Sequence, residues 1–201
     1  GTRPEIIRMS QIIKKFDEFF DHIFIHTGQN YDFELNEIFF EELNVRKPAF
    51  FLEVAKENLG KTIGNIISRS YDIFVKLKPD ALFVLGDTNS SLCEIPAKRL
   101  KIPIFHYEAG NRCFDQNVPE EINRKIADHI ADVNLTYSSN SKKYLIEEGF
   151  RKDFVISVGS PMKEILDIYE ADINNSKILN TLNLSSKKYI LASIHREENL
   201  D

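Results

Sequence analysis

The polar residues with chemical potential fall in short bursts, each directly after an apolar run: Thr27-Gly28-Gln29-Asn30, Gly86-Asp87-Thr88-Asn89, Glu108-Ala109-Gly110-Asn111-Arg112, Ser138-Ser139-Asn140, Gly159-Ser160-Pro161 and His195-Arg196-Glu197-Glu198-Asn199. Asp87 and Glu108 lie just past consecutive runs. If those runs are neighbouring strands, the two acids meet, with Arg112 and Arg3 nearby. Glu120 follows Pro119 and suits the first turn of a helix, where the dipole keeps a carboxylate ionised as a potential base. His195-Arg196 forms a cationic pair fit for phosphate. The chemistry in view is proton transfer beside a phosphorylated ligand.

Each residue also has a plainer reading. Asp87 or Ser90 can cap the next helix, Ser160 is a good N-cap before Pro161, and Gly28 and Gly110 can serve turns alone. Glu120 can be a first-turn acid paired with Arg124 one turn on. His22, His26, His106 and His129 read as structural, because no H-x-H or H-E-x-x-H pattern marks zinc. Cys93 and Cys113, without metal or disulfide spacing, read as small buried thiols.

The elements that must position these groups are parallel strands and covering helices. The β-branched and aromatic runs Ile23–His26, Ala81–Leu85, Ile102–Tyr107, Val133–Tyr137, Val155–Val158 and Tyr189–Ile194 are almost wholly apolar, as strands covered on both faces are. Helical stripes alternate with them: Ile63, Ile66, Ile67 and Phe74 before Pro79; Leu92, Ile95 and Leu100, with Pro96 among them; and Ile122, Ile126 and Ile130. The expected fold is α/β, a Rossmann-like doubly wound parallel sheet, and in such sheets ligands bind beyond the carboxyl ends of the strands. Periodicity weakens near 174–188, which puts an expected boundary between a domain over 1–174 and a linker with the start of a second over 175–201. The opening at Gly1 without Met and the close at Asp201 give both ends the look of cuts.

The 201 residues, 42% hydrophobic and 28% charged, belong to a folding globular chain. A net charge of -5 with scattered Lys and Arg gives no footprint for nucleic acid. No apolar run reaches the ~20 residues of a membrane span, and the two distant cysteines fit a reducing cytoplasm.

Six ordered motifs carry a resemblance: Gly1-Thr2-Arg3-Pro4-Glu5, His26-Thr27-Gly28-Gln29-Asn30-Tyr31, Gly86-Asp87-Thr88, His106-Tyr107-Glu108-Ala109-Gly110, Pro119-Glu120-Glu121-Ile122-Asn123-Arg124 and His195-Arg196-Glu197-Glu198-Asn199. Together they resemble the non-hydrolysing UDP-N-acetylglucosamine 2-epimerases. The resemblance implies two Rossmann-like domains facing a cleft, the glycosyltransferase-B-like architecture, of which this chain would be the N-terminal domain without its opening strand. It implies inversion at C2 of a UDP-linked N-acetylated sugar, by elimination of UDP to a 2-acetamidoglucal and its re-addition, with no metal or nicotinamide cofactor, in a homodimer. Asp87, Glu108 and Glu120 would be the acid/base carboxylates. Arg3 and His195 would hold or balance the diphosphate, His195 counting among the catalytic residues, while Arg8, Gln29, Arg112, Arg124 and Arg196 would complete the substrate-binding set. Three carboxylates in one cleft would repel, raise at least one pKa and let acid and base coexist near neutrality.

Two departures bear on the substrate. Arg8 stands where the family commonly has Lys, and the Glu108–Glu120 stretch is short, with Gly110-Asn111-Arg112 in place of Gly-Leu-Arg. The latter resembles the subgroup that epimerises UDP-2-acetamido-2,6-dideoxy-L-talose to UDP-N-acetyl-L-fucosamine. Two other enzyme classes share the strand-end pattern: a metal-dependent phosphoesterase, which would need histidine ligands that the spacing lacks, and a glycosyltransferase, which would need an acceptor. A segment that binds without doing chemistry is a third reading.

Overall fold

The computed structural model describes residues 2–28 and 33–192, with backbone alone for 33–37. The chain divides into two compact units, Gly1–Lys163 and Glu164–Asp201.

The first unit opens with α1 (Arg3–Phe19), started by Pro4 in its first turn and by Glu5, whose carboxylate accepts the Thr2 N–H. Its buried face, Ile6, Ser10 and Ile13, shares a small apolar core with Phe40 and Val45. β1 (Ile25–His26) follows, then α2 (Phe33–Glu42) and β2 (Phe50–Phe51), which pairs in parallel with β1. α3 (Leu59–Leu77) begins where the Asn58 side chain accepts the Lys61 N–H at 2.9 Å. It ends at Lys78, left-handed with φ 48°, ahead of Pro79.

Four parallel strands carry the site: β3 (Leu82–Leu85), β4 (Ile104–Tyr107), β5 (Val133–Thr136) and β6 (Val155–Ser157), adjacent in that order. Each sequential step is a crossover. Between β3 and β4 run a 3-10 turn (Asn89–Cys93) and α4 (Glu94–Arg99); then come α5 (Pro119–Ile130) and α6 (Ser139–Glu147). Pro96 is the third residue of α4, where its missing N–H removes no helical bond. Leu52, Val54, Ile66 and Leu92 form one core cluster; Phe74, Ala97, Ile102 and Ile104 form another. The second unit holds most of α7 (Met162–Ile168), then α8 (Glu170–Asn175) and α9 (Ile178–Thr181). Among the described residues no helix is long and apolar enough to cross a membrane.

The parallel α/β architecture matches the expectation from the apolar runs, with three differences. Phe50–Phe51 is a strand too short to leave a pattern. Tyr189–Ala192 is not a strand: it takes no ladder partner among the described residues, and Ile190 is 95% exposed; the rest of that run lies outside them. In α5 the isoleucine stripe holds only in part: Ile126 and Ile130 pack on the core, but Ile122 is exposed, and the fully buried positions are Glu121, Asn123, Ala127 and Asp128. A polar buried face on an amphipathic helix needs partners, and these lie at the carboxyl end of the sheet.

Candidate active site

Leu85 and Tyr107 are register partners at the ends of β3 and β4, so Gly86-Asp87 and Glu108 leave the sheet side by side. The Gly86 N–H donates to the Tyr107 carbonyl at 2.9 Å. Gly86 turns the chain with φ +73°, and Glu108 itself is left-handed at φ 75°, a conformation that costs a non-glycine residue about 1–2 kcal/mol. Its persistence here marks a side chain aimed by its surroundings.

Each acid has its own guanidinium. Arg8, from α1, donates to Glu108 Oε2 at 2.6 Å. Arg124, from α5, donates from Nε and Nη2 to Asp87 Oδ2 at 2.9 and 2.6 Å. Burial raises the Glu108 pKa; Arg8 opposes this, the charge of Asp87 adds to it, and the net direction is upward. The Thr88 hydroxyl donates to Glu5 Oε1 at 3.0 Å, tying the loop after β3 to the start of α1.

Beneath the carboxylates lies a buried ionic layer. His106, on β4, is fully buried, with Nε2 2.9 Å from the Gly86 carbonyl and Nδ1 2.9 Å from Asp128 Oδ1. A carbonyl can only accept, so Nε2 carries a hydrogen; with a carboxylate at Nδ1 the ring is an imidazolium. Burial alone would lower its pKa, but the bond to Asp128 and the charges of Asp128 and Glu94 win and raise it to about 9. Asp128 also accepts the Gly110 N–H at 3.2 Å and Arg112 Nη1 at 2.6 Å. His106 therefore ties the carbonyl just before Asp87 to the amide two residues past Glu108. Glu121, wholly buried, accepts the Cys113 and Phe114 N–H groups at 3.1 and 3.3 Å and Arg124 Nη1 at 3.0 Å. It thereby links the Asn111–Val118 loop to the cation on Asp87.

The sequence-derived candidates fall into three groups. Asp87, Glu108, Arg8 and Arg124 come together as described. Glu120 is exposed in the first turn of α5, and Arg124 pairs with Asp87 and Glu121 instead of with it; Arg3 is exposed at the start of α1. Arg112, expected beside the two acids, has a fully buried guanidinium committed to Asp128 and to Glu148, at 2.6 Å each. Gln29, His195 and Arg196 lie outside the described residues. Cys113 is exposed, against the expectation of a buried thiol, because it belongs to the loop that Glu121 holds by its backbone. Ser160 accepts the Met162 N–H at 3.3 Å, as a cap does. Sequence reading missed Glu121 and Asp128, although Glu121, Arg124, Lys125 and Asp128 repeat at i, i+3, i+4 and i+7, a charged stripe with helical period.

The chain has relatives. A family model described as UDP-N-acetylglucosamine 2-epimerase matches residues 14–201. A protein described as a UDP-N-acetylglucosamine 2-epimerase homolog, from Methanococcus maripaludis, is 40% identical over 204 residues, covering 100% of this chain and 57% of its own length. A UDP-2,3-diacetamido-2,3-dideoxy-D-glucuronate 2-epimerase from Pseudomonas aeruginosa is 34% identical over 100% of this chain and 57% of its own. Among solved structures, that of UDP-N-acetylglucosamine 2-epimerase from Rickettsia bellii superposes with TM-score 0.93 at 53% identity, over 98% of this chain and 53% of the other. The Methanocaldococcus jannaschii UDP-GlcNAc 2-epimerase in complex with UDP-GlcNAc and UDP gives TM-score 0.84 at 34% identity, over 90% and 51%. The chain spans about half the length of the relatives it matches. Its parallel sheet and these matches along nearly the whole sequence place it in the UDP-N-acetylglucosamine 2-epimerase family.

Proposed function

We propose that the protein inverts C2 of a UDP-linked N-acetylated sugar, interconverting UDP-GlcNAc and UDP-ManNAc by elimination and re-addition of UDP. The observation that carries this reading is the side-by-side exit of Asp87 and Glu108 from β3 and β4, each held by a separate guanidinium. Removal of a weakly acidic C2 proton needs a positioned base, and a departing diphosphate needs an acid and positive charge. Glu108, whose carboxyl pKa burial raises against the opposing charge of Arg8, is the carboxylate we assign to proton transfer in this cycle. Arg8 and Arg124 set the charge of the two acids, Glu120 is the third carboxylate, and Arg3, Gln29, His195 and Arg196 serve the nucleotide.

The sugar itself is the finer question. Asn111, at the position that resembles the 6-deoxy-sugar subgroup, is held by the Ser141 hydroxyl at 3.0 Å. That makes UDP-2-acetamido-2,6-dideoxy-L-talose the alternative substrate. The protein works in the cytoplasm as a homodimer, and residues 1–201 alone are inactive because half of the cleft belongs to a second domain. NMR of the full-length protein in D2O with each candidate UDP-sugar is the test. Deuterium at C2 with the inverted product is expected, unaffected by EDTA. Turnover lost on metal removal would favour a phosphoesterase, a strict need for an acceptor would favour a glycosyltransferase, and exchange by residues 1–201 alone would remove the need for the second domain.

A further inference from the structure

Tyr137 follows β5 at the carboxyl end of the sheet, next to the strand that delivers Glu108; the Glu108 N–H bonds to the Leu135 carbonyl at 3.0 Å. The ring is fixed by edge packing on Tyr107, with centroids 4.9 Å apart and planes at 73°. Tyr107 is held in turn by its hydroxyl, which donates to the Gly159 carbonyl at 3.2 Å. The Tyr137 hydroxyl differs: its oxygen is shielded from solvent and makes no hydrogen bond among the described residues. A buried hydroxyl without a partner costs about 1–3 kcal/mol, and native proteins retain few of them. Burial first, and then the charge of Glu108 and the neighbouring Tyr107, push the phenol pKa up, with Arg8 opposing, so the hydroxyl stays protonated. A fixed, protonated and unspent donor beside an acid/base carboxylate is a ligand contact in waiting.

We propose that the Tyr137 hydroxyl donates a hydrogen bond to an oxygen of the sugar in the bound nucleotide sugar, next to Glu108. This rests on the epimerase reading above and adds a substrate-binding residue to it. Since the hydroxyl makes no hydrogen bond among the described residues, Tyr137→Phe has a signature that a structural residue lacks: the free protein keeps or raises its Tm while the substrate is held less well.

The experiment compares the full-length wild type and Tyr137→Phe by thermal unfolding, by titration with UDP and with UDP-GlcNAc, and by C2 deuterium exchange. For Tyr137→Phe the expected result is an unchanged or higher Tm without ligand, unchanged affinity for UDP, and a fall of about 5–100-fold in kcat/KM for exchange, the range of one hydrogen bond to a neutral or charged partner. Tyr107→Phe, which removes a satisfied bond, is the stability control and lowers Tm. Wild-type kcat/KM in Tyr137→Phe overturns the proposal, as does a loss of UDP affinity equal to the loss for the sugar nucleotide, or a lowered Tm without ligand. A wild type that shows no C2 exchange with any UDP-sugar instead overturns the epimerase reading itself.

Discussion

Arg124 and Asp87 meet through a single oxygen: Nε and Nη2 of the arginine both point at Oδ2, at 2.9 and 2.6 Å, while Nη1 turns to Glu121. The other oxygen of Asp87 takes no part in this fork. Lysine offers one ammonium in place of this fork. Arg124→Lys should therefore lose about 10–100-fold in kcat/KM for C2 exchange, as expected when a charge-assisted bond worth roughly 1.5–3 kcal/mol goes. Asp87→Asn should lose about 10²-fold or more, as at a true acid/base position. Single-turnover exchange in D2O measures both, and near-wild-type rates in Asp87→Asn would remove it from the acid/base set.

Arg8 holds the Glu108 pKa down against burial and against Asp87. In Arg8→Met that restraint is gone and the pKa must climb. The limb of the pH–kcat/KM profile that belongs to Glu108, identified by its disappearance in Glu108→Gln, should move to higher pH in Arg8→Met. A limb that stays put, or moves to lower pH, would mean that Glu108 is not the titrating group.

The strand ends were legible because β3 and β4 are consecutive apolar runs, each closing on a chemically distinctive residue. Asp87 and Glu108 could be placed together by that pattern alone. Their partners could not. Arg8 reaches Glu108 across 100 positions, and Arg124 bonds Asp87 instead of its helical neighbour Glu120, because the loop after β3 lies against α5. The isoleucine periodicity of α5 pointed to a face that leaves Ile122 48% exposed. Glu121 and Asp128 took the interior because loop amides and His106 satisfy them there, and apolar periodicity is blind to that compensation.

Glu94, at the start of α4, is fully buried, and neither carboxyl oxygen makes a hydrogen bond among the described residues. Burial raises its pKa to about 8 from an ordinary 4.5, with His106 opposing. Between those values the unfolded chain gives up the proton and the folded chain keeps it, so stability is full below about 4.5, falls as pH rises and levels off above about 8. His106, raised to about 9 from 6.5, adds loss in the same direction over its own window. Unfolding midpoints in urea should therefore decline between pH 5 and pH 9, and Glu94→Gln should flatten the part below about pH 8. An unchanged slope in Glu94→Gln would assign the decline elsewhere.

Gly110 is where backbone freedom matters most for the site. Its φ is +77°, and a Cβ there would run into the Ser141 backbone carbonyl and touch Leu145 at 3.0 Å. Its N–H is one of the bonds that Asp128 uses to hold the segment after Glu108. Alanine pays about 1–2 kcal/mol for the left-handed conformation alone, and the carbonyl cannot move without disturbing the first turn of α6. Gly110→Ala should thus destabilise by more than about 2 kcal/mol in urea unfolding and lower C2 exchange, since relief of the clash displaces Glu108. Gly64→Ala supplies the contrast: this exposed glycine lies inside α3 with nothing within 4 Å of an added Cβ, so the same substitution should stabilise by about 0.5–1 kcal/mol through helix propensity. Equal effects at the two sites would mean that the Gly110 turn is soft, and the placement of Glu108 would then have to come from Arg8 alone.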